Sequence, residues 1–455
     1  MFDLVINNGT VIDPFNKINS KLNIGISNGK IACISEECLS GDTEINAESL
    51  IVTPGFLDMH MHEDPYSAKD DSFKFCISNS MLNMGVTTAI AGNCGIGPSN
   101  PIEYLDAVDR LGYPINLAMY TPHESLRNAF GDFDKYGPID SESIDKMAKL
   151  LQMQLDKGCI GLSMGIEYIP GINQLEATEL MKVAAKNNKL VAVHQRGDAE
   201  QSISSIEEII NYAKFTNAAL QISHVSSMSS FGQMKETLST IDYYKSQGLD
   251  IGFDGYPYYA FCTFIGSTCF DEGFLEKYNL SDDSYSKIEL TSGELAGKRC
   301  SKDTFEEERK KDPKALVIAH LLGEKEVDMA IAHPLSIIVS DGLYNNGQGH
   351  PRGSGTFPRL INEFVKKKKL LTLETAIEKI TYLPSKRMGL TSKGTLSVGA
   401  DADVTVFDLS KIEDGATYLE PVKKPIGIEY VVIGGEIALK QGNIVNGKLG
   451  KSIRK

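Results

Sequence analysis

The sequence has no apolar stretch long enough to cross a membrane, and its amino terminus shows no basic segment followed by a long apolar run. It also contains no internal repeat and no low-complexity tract. The apolar and charged fractions are those of an ordinary globular protein, which excludes disorder. We therefore expect a folded protein of the cytoplasm that does not bind membranes.

Positive charge is scarce relative to negative charge. The chain carries 46 Lys and Arg residues against 60 Asp and Glu residues, so its formal net charge is -14. An electrostatic field of this sign repels polyanions and provides no binding surface for nucleic acid or anionic lipid. Nucleic acid is thus not an expected partner.

Cysteine pairs at short spacing are missing. The chain has eight cysteines, and they are scattered along 455 residues. Without paired spacings or a secretory signal, they are expected to be reduced thiols, most of them buried as small apolar side chains. Cys94 is the exception, because it is a candidate metal ligand.

The length of the chain and the sequence pattern of its two ends predict two domains. Residues 1–50 and 395–455 place short apolar runs between turn residues such as Asn-Gly, which is typical of antiparallel strands. These ends are expected to form one small β-sandwich domain. Residues 51–394 exceed the roughly 250 residues of a parallel barrel and are assigned to that fold.

The middle of the chain alternates strand and helix patterns, as an α/β (β/α)8 TIM-like barrel requires. Eight candidate strands are predicted to end near residues 62, 94, 120, 163, 194, 224, 254 and 341. A long segment rich in Lys and Glu, at about 260–335, separates the last two of them. A plain loop of that length is uncommon, so we predict an inserted helical segment that covers the barrel mouth.

Two histidines follow the first predicted strand one residue apart, at His60 and His62. Alternation along a strand would put both imidazoles on one face, where they can reach one cation. Other polar residues end strands two, five, six and eight. The set predicted to meet at one mouth of the barrel is His60, His62, Cys94, His194, His224 and Asp341. Such mixed nitrogen, thiolate and carboxylate ligation suits zinc.

Two members of this set have particular chemistry. Asp341 precedes a glycine, where its carboxylate can touch a metal and also accept a proton from bound water. Cys94 lies in the motif GNCG, whose glycines allow a sharp turn, and zinc stabilises the thiolate form of such a ligand.

The fourth strand lacks the carbamylated lysine that is expected in many hydrolases with this barrel. Lys157 precedes that strand at the wrong end, and Glu167 follows it. A residue that bridges two metals would then be Cys94 or Glu167. For Glu167, a loop carboxylate or a substrate contact is favoured over metal ligation.

Taken together, these motifs resemble the amidohydrolase superfamily and, within it, the N-acyl-D-amino-acid deacylase (D-aminoacylase) family. The resemblance runs nearly from end to end. It is carried by GFLDMHMH at 55–62, GNCG at 92–95, GLSMGIEY at 161–168, QISH at 221–224, YPY at 256–258, SDG at 340–342, HPR at 350–352, GTFPR at 355–359 and GADAD at 399–403.

The resemblance implies a hydrolase that cleaves the acyl amide bond of a small carboxylated molecule, an N-acyl-D-amino acid. One zinc would be held tightly by Cys94, His194 and His224, and a second, weaker position would use His60 and His62. Asp341 would be the catalytic acid and base, while Tyr256 and Arg352 would hold the substrate carboxylate. The oligomeric state stays open, with a homodimer as one option.

Two departures from the family pattern affect substrate preference. Ser226 stands where relatives often carry a basic residue, and Cys262 stands where a serine is expected. His123 and Arg127 resemble a further family motif, for which we expect a structural role. Two alternatives also stay open: a cyclic amidase of the dihydropyrimidinase or hydantoinase type, and a catalytically silent metal-binding homologue.

Overall fold

The computed structural model describes residues 1–131 and 134–455. Both chain ends build one β-rich unit, here called the terminal sheet, in which nine strands are hydrogen-bonded side by side. The long strand Phe2–Asp13 pairs over its first half with Gly41–Asn46 and over its second half with Ile51–Pro54. The nine strands are Phe2–Asp13, Ile18–Ser27, Lys30–Ser35, Gly41–Asn46, Ile51–Pro54, Val404–Phe407, Ile428–Ile433, Glu436–Lys440 and Asn443–Ile444.

The middle of the chain forms the predicted parallel barrel. Its strands, here barrel strands 1 to 8, are Phe56–Asp58, Val86–Ala91, Asn116–Met119, Gly161–Gly165, Leu190–His194, Leu220–Ile222, Ile251–Gly255 and Ser336–Ile338. Thr121–Pro122 continues barrel strand 3 and pairs with barrel strand 4. A parallel bridge between Met61 and Gly342 joins the last strand back to the first, so the ring closes. This architecture confirms the predicted fold class.

Helices surround the barrel because each presents one apolar stripe to the strands and a polar face to solvent. Asp140 and Asn173 cap two of these helices by accepting backbone N–H bonds. The helices outside the 260–335 segment are Ile77–Asn83, Pro101–Leu111, His123–Asn128, Ser141–Asp156, Gln174–Lys186, Ser202–Thr216, Val225–Met228, Met234–Ser246, Arg352–Arg359, Leu373–Ile380 and Tyr382–Met388, and a π-helix spans Leu360–Lys367. Among the described residues, no helix combines the length and the apolar character needed to span a bilayer.

The segment 260–335, here the insert, is only partly helical, so the predicted helical element needs correction. Its strands Phe261–Phe264, Ile288–Leu290 and Leu316–Ala319 form an antiparallel sheet. Its helices are Phe274–Lys277, Lys302–Lys311 and Glu324–Ala332. The Lys- and Glu-rich stretch is one of those helices, whereas the flanking apolar runs are too short for a helix and bury as strands.

The polar residues predicted at strand ends lie on the loops just beyond the strands, except for His194, which is the last residue of barrel strand 5. The apolar run before His60 divides into Ile51–Pro54 of the terminal sheet and barrel strand 1, which ends at Asp58. The carboxylate of Asp58 accepts N–H bonds from His60 at 3.1 Å and from Ser340 at 3.2 Å. The Asp58 carboxylate thus joins the loops that carry the two histidines and Asp341, and the backbone of His62 also pairs with Gly342.

Candidate functional site

Six buried side chains from five loops meet at one mouth of the barrel. Their donor atoms form two groups, each with all atoms within 4.8 Å of one another, and Cys94 belongs to both. The first group is His60, His62, Cys94 and Asp341, and the second is Cys94, His194 and His224. The six residues are the predicted metal ligands.

The contacts within the cluster are short. The Cys94 Sγ lies 3.3 Å from His60 Nε2 and 3.5 Å from His224 Nε2. The Nδ1 atom of His194 lies 2.9 Å from His224 Nε2. Asp341 Oδ1 is 3.4 Å from the Nε2 atoms of both His60 and His62. Imidazole nitrogens, a thiolate and a carboxylate facing one another in a buried space are a donor set that fits zinc.

Three of these residues adopt left-handed backbone conformations. The φ angle is +54° at Cys94, +32° at His224 and +47° at Asp341. Such angles are uncommon for residues with a Cβ and cluster at functional sites, where the surrounding structure enforces them. For His224, Asp254 Oδ1 supplies this constraint by accepting its backbone N–H at 2.7 Å.

The outer nitrogens of the rings also have partners. His194 Nε2 bonds Glu167 Oε2 at 3.0 Å, whereas His60 Nδ1 lies 3.3 Å from Asp254 Oδ1 as an ion-pair contact without hydrogen-bond geometry. The Ser227 hydroxyl lies 3.4 Å from His224 Nδ1. A carboxylate on the outer nitrogen fixes the ring orientation and the tautomer, which leaves the inner nitrogen free to bind a cation.

Glu167 therefore contacts the nitrogen of His194 that faces away from the donor cluster, and each of its two carboxylate oxygens has a partner. Its Oε1 accepts a bond from Lys277 Nζ at 2.6 Å, and the same ammonium lies 2.5 Å from Asp198 Oδ1. Burial raises the pKa of Glu167, but Lys277 and His194 outweigh this effect and lower it to about 2. Lys277 comes from the insert, so the insert contacts the cluster through this carboxylate.

Arg352 lies against Asp341 at the open side of the cluster. Its Nη2 is 2.9 Å from Asp341 Oδ2, and its guanidinium lies 4.5 Å from the ring centre of Tyr256. Burial raises the pKa of Asp341, but Arg352 and then His60 and His62 hold it well below its usual value. Asp341 is thus held as an ionised carboxylate.

Two nitrogens of Arg352, Nε and Nη1, are buried and have no hydrogen-bond partner within the described part of the chain. Arg352 lines a pocket together with Tyr256 and Asp341. A guanidinium with unengaged donors can pair with a carboxylate. His350 supports the arginine, because its Nδ1 accepts the Arg352 backbone N–H at 3.0 Å.

Ser163, on barrel strand 4, holds the loop that carries Cys94. Its hydroxyl donates to the Gly92 carbonyl and accepts the Gly95 N–H at 3.1 Å. Barrel strand 4 contains no lysine. Of the two candidates for a bridge, Cys94 is the one shared by both groups of donors.

The remaining predicted residues lie apart from the cluster or line its pocket. His123 and Arg127 are buried against Glu176, with His123 Nε2 and Arg127 Nε 2.8 Å and 2.7 Å from Glu176 Oε1. Ser226 is buried and bonds the backbone of Tyr256, whereas Cys262 lines the pocket.

Sequence reasoning missed Asp254, Lys277 and Asp198. Asp254 ends a predicted strand, so its position next to His224 was accessible from the sequence. Lys277 belongs to a four-residue helix of the insert, in a region whose lysines and glutamates show no distinguishing pattern. No local signal indicates that this one lysine turns inward.

Comparisons with known proteins agree with this geometry. The model of the Amidohydrolase family matches residues 327–439. The N-acyl-D-glutamate deacylase of Alcaligenes xylosoxydans xylosoxydans is 30% identical, over 95% of this chain and 93% of its own length. The D-aminoacylase of the same organism is 29% identical, over 95% and 94%.

A solved structure is similar over the whole chain. The N-acyl-D-glutamate deacylase from Bordetella bronchiseptica, complexed with zinc and a phosphonate inhibitor that mimics the tetrahedral intermediate, superposes with a TM-score of 0.88. It is 28% identical, and the match covers 100% of both chains. The chain belongs to the N-acyl-D-amino-acid deacylase family of amidohydrolases.

Proposed function

We propose that the protein is a zinc-dependent hydrolase that cleaves the acyl amide bond of N-acyl-D-amino acids. The observation that carries the proposal is the arrangement of Asp341 between the donor cluster and Arg352. A proton acceptor, a metal site and a carboxylate-binding edge thus face one small pocket. The names of the similar proteins support an N-acyl-D-amino acid as the substrate.

Cys94, His194 and His224 would hold the tightly bound zinc, and His60, His62 and Asp341 would form the weaker position, with Cys94 as the shared ligand. When bound, zinc polarises the acyl carbonyl and lowers the pKa of a water molecule toward about 7. Glu167 and Asp254 keep His194 and His60 oriented for this task.

Residues of the chain bind the substrate and transfer the proton. Arg352 pairs with the substrate carboxylate through a donor that has no partner among the described residues, and the Tyr256 ring lies against the guanidinium. Asp341 accepts the proton of the attacking water and then donates it to the departing amine.

An assay with paired substrates tests this function. The zinc-loaded protein should release free amine from N-acetyl-D-amino acids faster than from the L enantiomers, and should not open hydantoin or dihydropyrimidine rings. Turnover of the rings alone would establish a cyclic amidase instead. Failure to bind metal, together with no turnover, would identify a silent homologue.

The contact between Glu167 and His194 gives a prediction about metal affinity. Replacing Glu167 by leucine removes the acceptor that fixes the His194 tautomer, while Lys277 keeps Asp198 as a partner. We expect zinc affinity to fall by about 10- to 100-fold. Competition for zinc with a chromophoric chelator measures this change.

Glu200→Leu is the matched control, because Glu200 is exposed on the surface. Its zinc affinity should equal that of the wild type. An unchanged affinity in Glu167→Leu would show that the outer nitrogen of His194 needs no acceptor.

A further inference from the structure

Residues 408–427, here the connecting segment, reach from the terminal sheet to the helix Arg352–Arg359. They join the strands Val404–Phe407 and Ile428–Ile433 of that sheet. The Tyr344 hydroxyl donates to the Pro421 carbonyl at 2.7 Å and lies 2.7 Å from Ser354 Oγ. Since Ser354 belongs to the helix, this hydroxyl joins the connecting segment to the element that carries the substrate-binding arginine.

Tyr418 of the connecting segment packs against two histidines. The centre of its ring lies 5.2 Å from that of His350, with an angle of 85° between the rings. The corresponding values for His320 are 4.6 Å and 66°. The same ring packs against the apolar cluster of the insert that includes Ala260. Tyr418 thus contacts both His350 and the part of the insert beside it.

His350 lies between Tyr418 and Arg352. Its Nδ1 accepts the Arg352 backbone N–H at 3.0 Å, so its Nε2 carries the proton and donates to the Ala260 carbonyl at 3.1 Å. The second aromatic neighbour of this ring is Tyr258, at 5.0 Å and 89°. The imidazole is therefore held by two hydrogen bonds and by two rings in edge-to-face arrangements.

The terminal sheet has no direct part in the pocket. Among the described residues that line the pocket, all lie between Glu167 and Arg352, in the barrel and the insert. The route from the terminal sheet to the pocket is therefore indirect. It runs from Tyr418 through His350 to the backbone of Arg352.

We propose that Tyr418 is a positioning residue for Arg352 and acts through His350. The Tyr418 ring keeps the imidazole in place, and the imidazole fixes the start of the helix from which the guanidinium enters the pocket. An arginine that is already oriented loses less conformational freedom when it pairs with a carboxylate. The inference rests on the proposed function, because it concerns the substrate carboxylate that is assigned to Arg352.

Tyr418→Ala tests the inference with two substrates. N-acetyl-D-methionine has a carboxylate, whereas N-acetyl-D-methioninamide has none. We expect kcat/KM for the acid to fall about 5- to 10-fold through a higher KM, as the loss of one aromatic contact implies, and kcat/KM for the amide to stay within about twofold. Zinc affinity, measured by competition with a chelator, should not change, because Tyr418 is not one of the six donor residues.

Tyr418→Phe is the matched control, since it keeps the ring that faces both histidines. Its kinetics should equal those of the wild type for both substrates. Leu419→Ala changes the neighbouring residue, which is 72% exposed, and should also have no effect. If Tyr418→Ala does not fold, Tyr418→Leu takes its place, because leucine keeps apolar volume without an aromatic ring.

A double variant tests whether the effect passes through His350. His350→Ala should lower the preference for the acid over the amide at least as much as Tyr418→Ala does. When both substitutions are combined, the preference should fall less than about twofold below that of His350→Ala alone, because the two residues act in series.

The outcomes separate the inference from the proposed function. An equal loss for acid and amide in Tyr418→Ala, or no loss for either, would overturn the inference and leave the deacylase function standing. Multiplicative losses in the double variant would overturn the route through His350. A zinc-loaded wild type that hydrolyses no N-acetyl-D-amino acid would overturn both.

Discussion

Replacing Asp341 by asparagine should lower kcat by at least about 1,000-fold. Asparagine keeps the size of the side chain but cannot take a proton from water or return one to the leaving amine. The zinc held by Cys94, His194 and His224 should remain, because Asp341 belongs to the other group of donors. Steady-state kinetics and elemental analysis of the same preparation measure the two quantities together.

Asp242→Asn provides the control for this substitution. Asp242 has a side chain that is 55% exposed and pairs with His333 on the outside of the barrel. Its kcat should stay at the wild-type value. If Asp341→Asn kept kcat within tenfold of the wild type while retaining its zinc, another group would have to serve as the base.

The fold was largely predictable because its signals are local. Apolar runs bounded by turn residues identify the barrel strands, and the chemistry-bearing residues follow those runs by at most four positions. In a parallel barrel the carboxyl ends of all strands share one rim, so the topology brings such residues together. His194, which ends barrel strand 5, and His224, two residues beyond barrel strand 6, illustrate this rule.

Other features depend on long-range packing that no local pattern encodes. Strand Phe261–Phe264 pairs with Leu316–Ala319 only after about 50 residues of chain fold back, whereas the helical prediction for the segment rested on its length and its Lys and Glu content. The contacts of Glu167 also could not be predicted from local sequence. Its position after barrel strand 4 was evident, but its partners His194 and Lys277 lie 27 and 110 residues away.

The insert links substrate choice with the metal cluster. It supplies most of the apolar wall of the pocket and also Lys277, which holds Glu167 against His194. Loops on a rigid barrel commonly carry specificity, whereas the strands carry the reactive groups. Here one segment does both, so changes within the insert should alter substrate preference and metal affinity together.

Arg352→Met should lower kcat/KM for N-acetyl-D-methionine by about 100-fold or more, because the substrate carboxylate loses its charged partner in a buried pocket. The substitution also removes the partner of Asp341, which would slow the reaction of any substrate. A substrate without a carboxylate, N-acetyl-D-methioninamide, separates the two effects. The wild type should prefer the acid to the amide, and Arg352→Met should lose most of this preference.

Two further variants complete the comparison. Arg352→Lys retains a positive charge but not the planar pair of donors, so its preference for the acid should lie between those of the wild type and Arg352→Met. Arg359→Met changes a second arginine of the same helix, which packs on Tyr258 and pairs with Asp414. It should keep the full preference for the acid. An equal loss for acid and amide in Arg352→Met would mean that this arginine serves Asp341 alone, and that another group binds the substrate carboxylate.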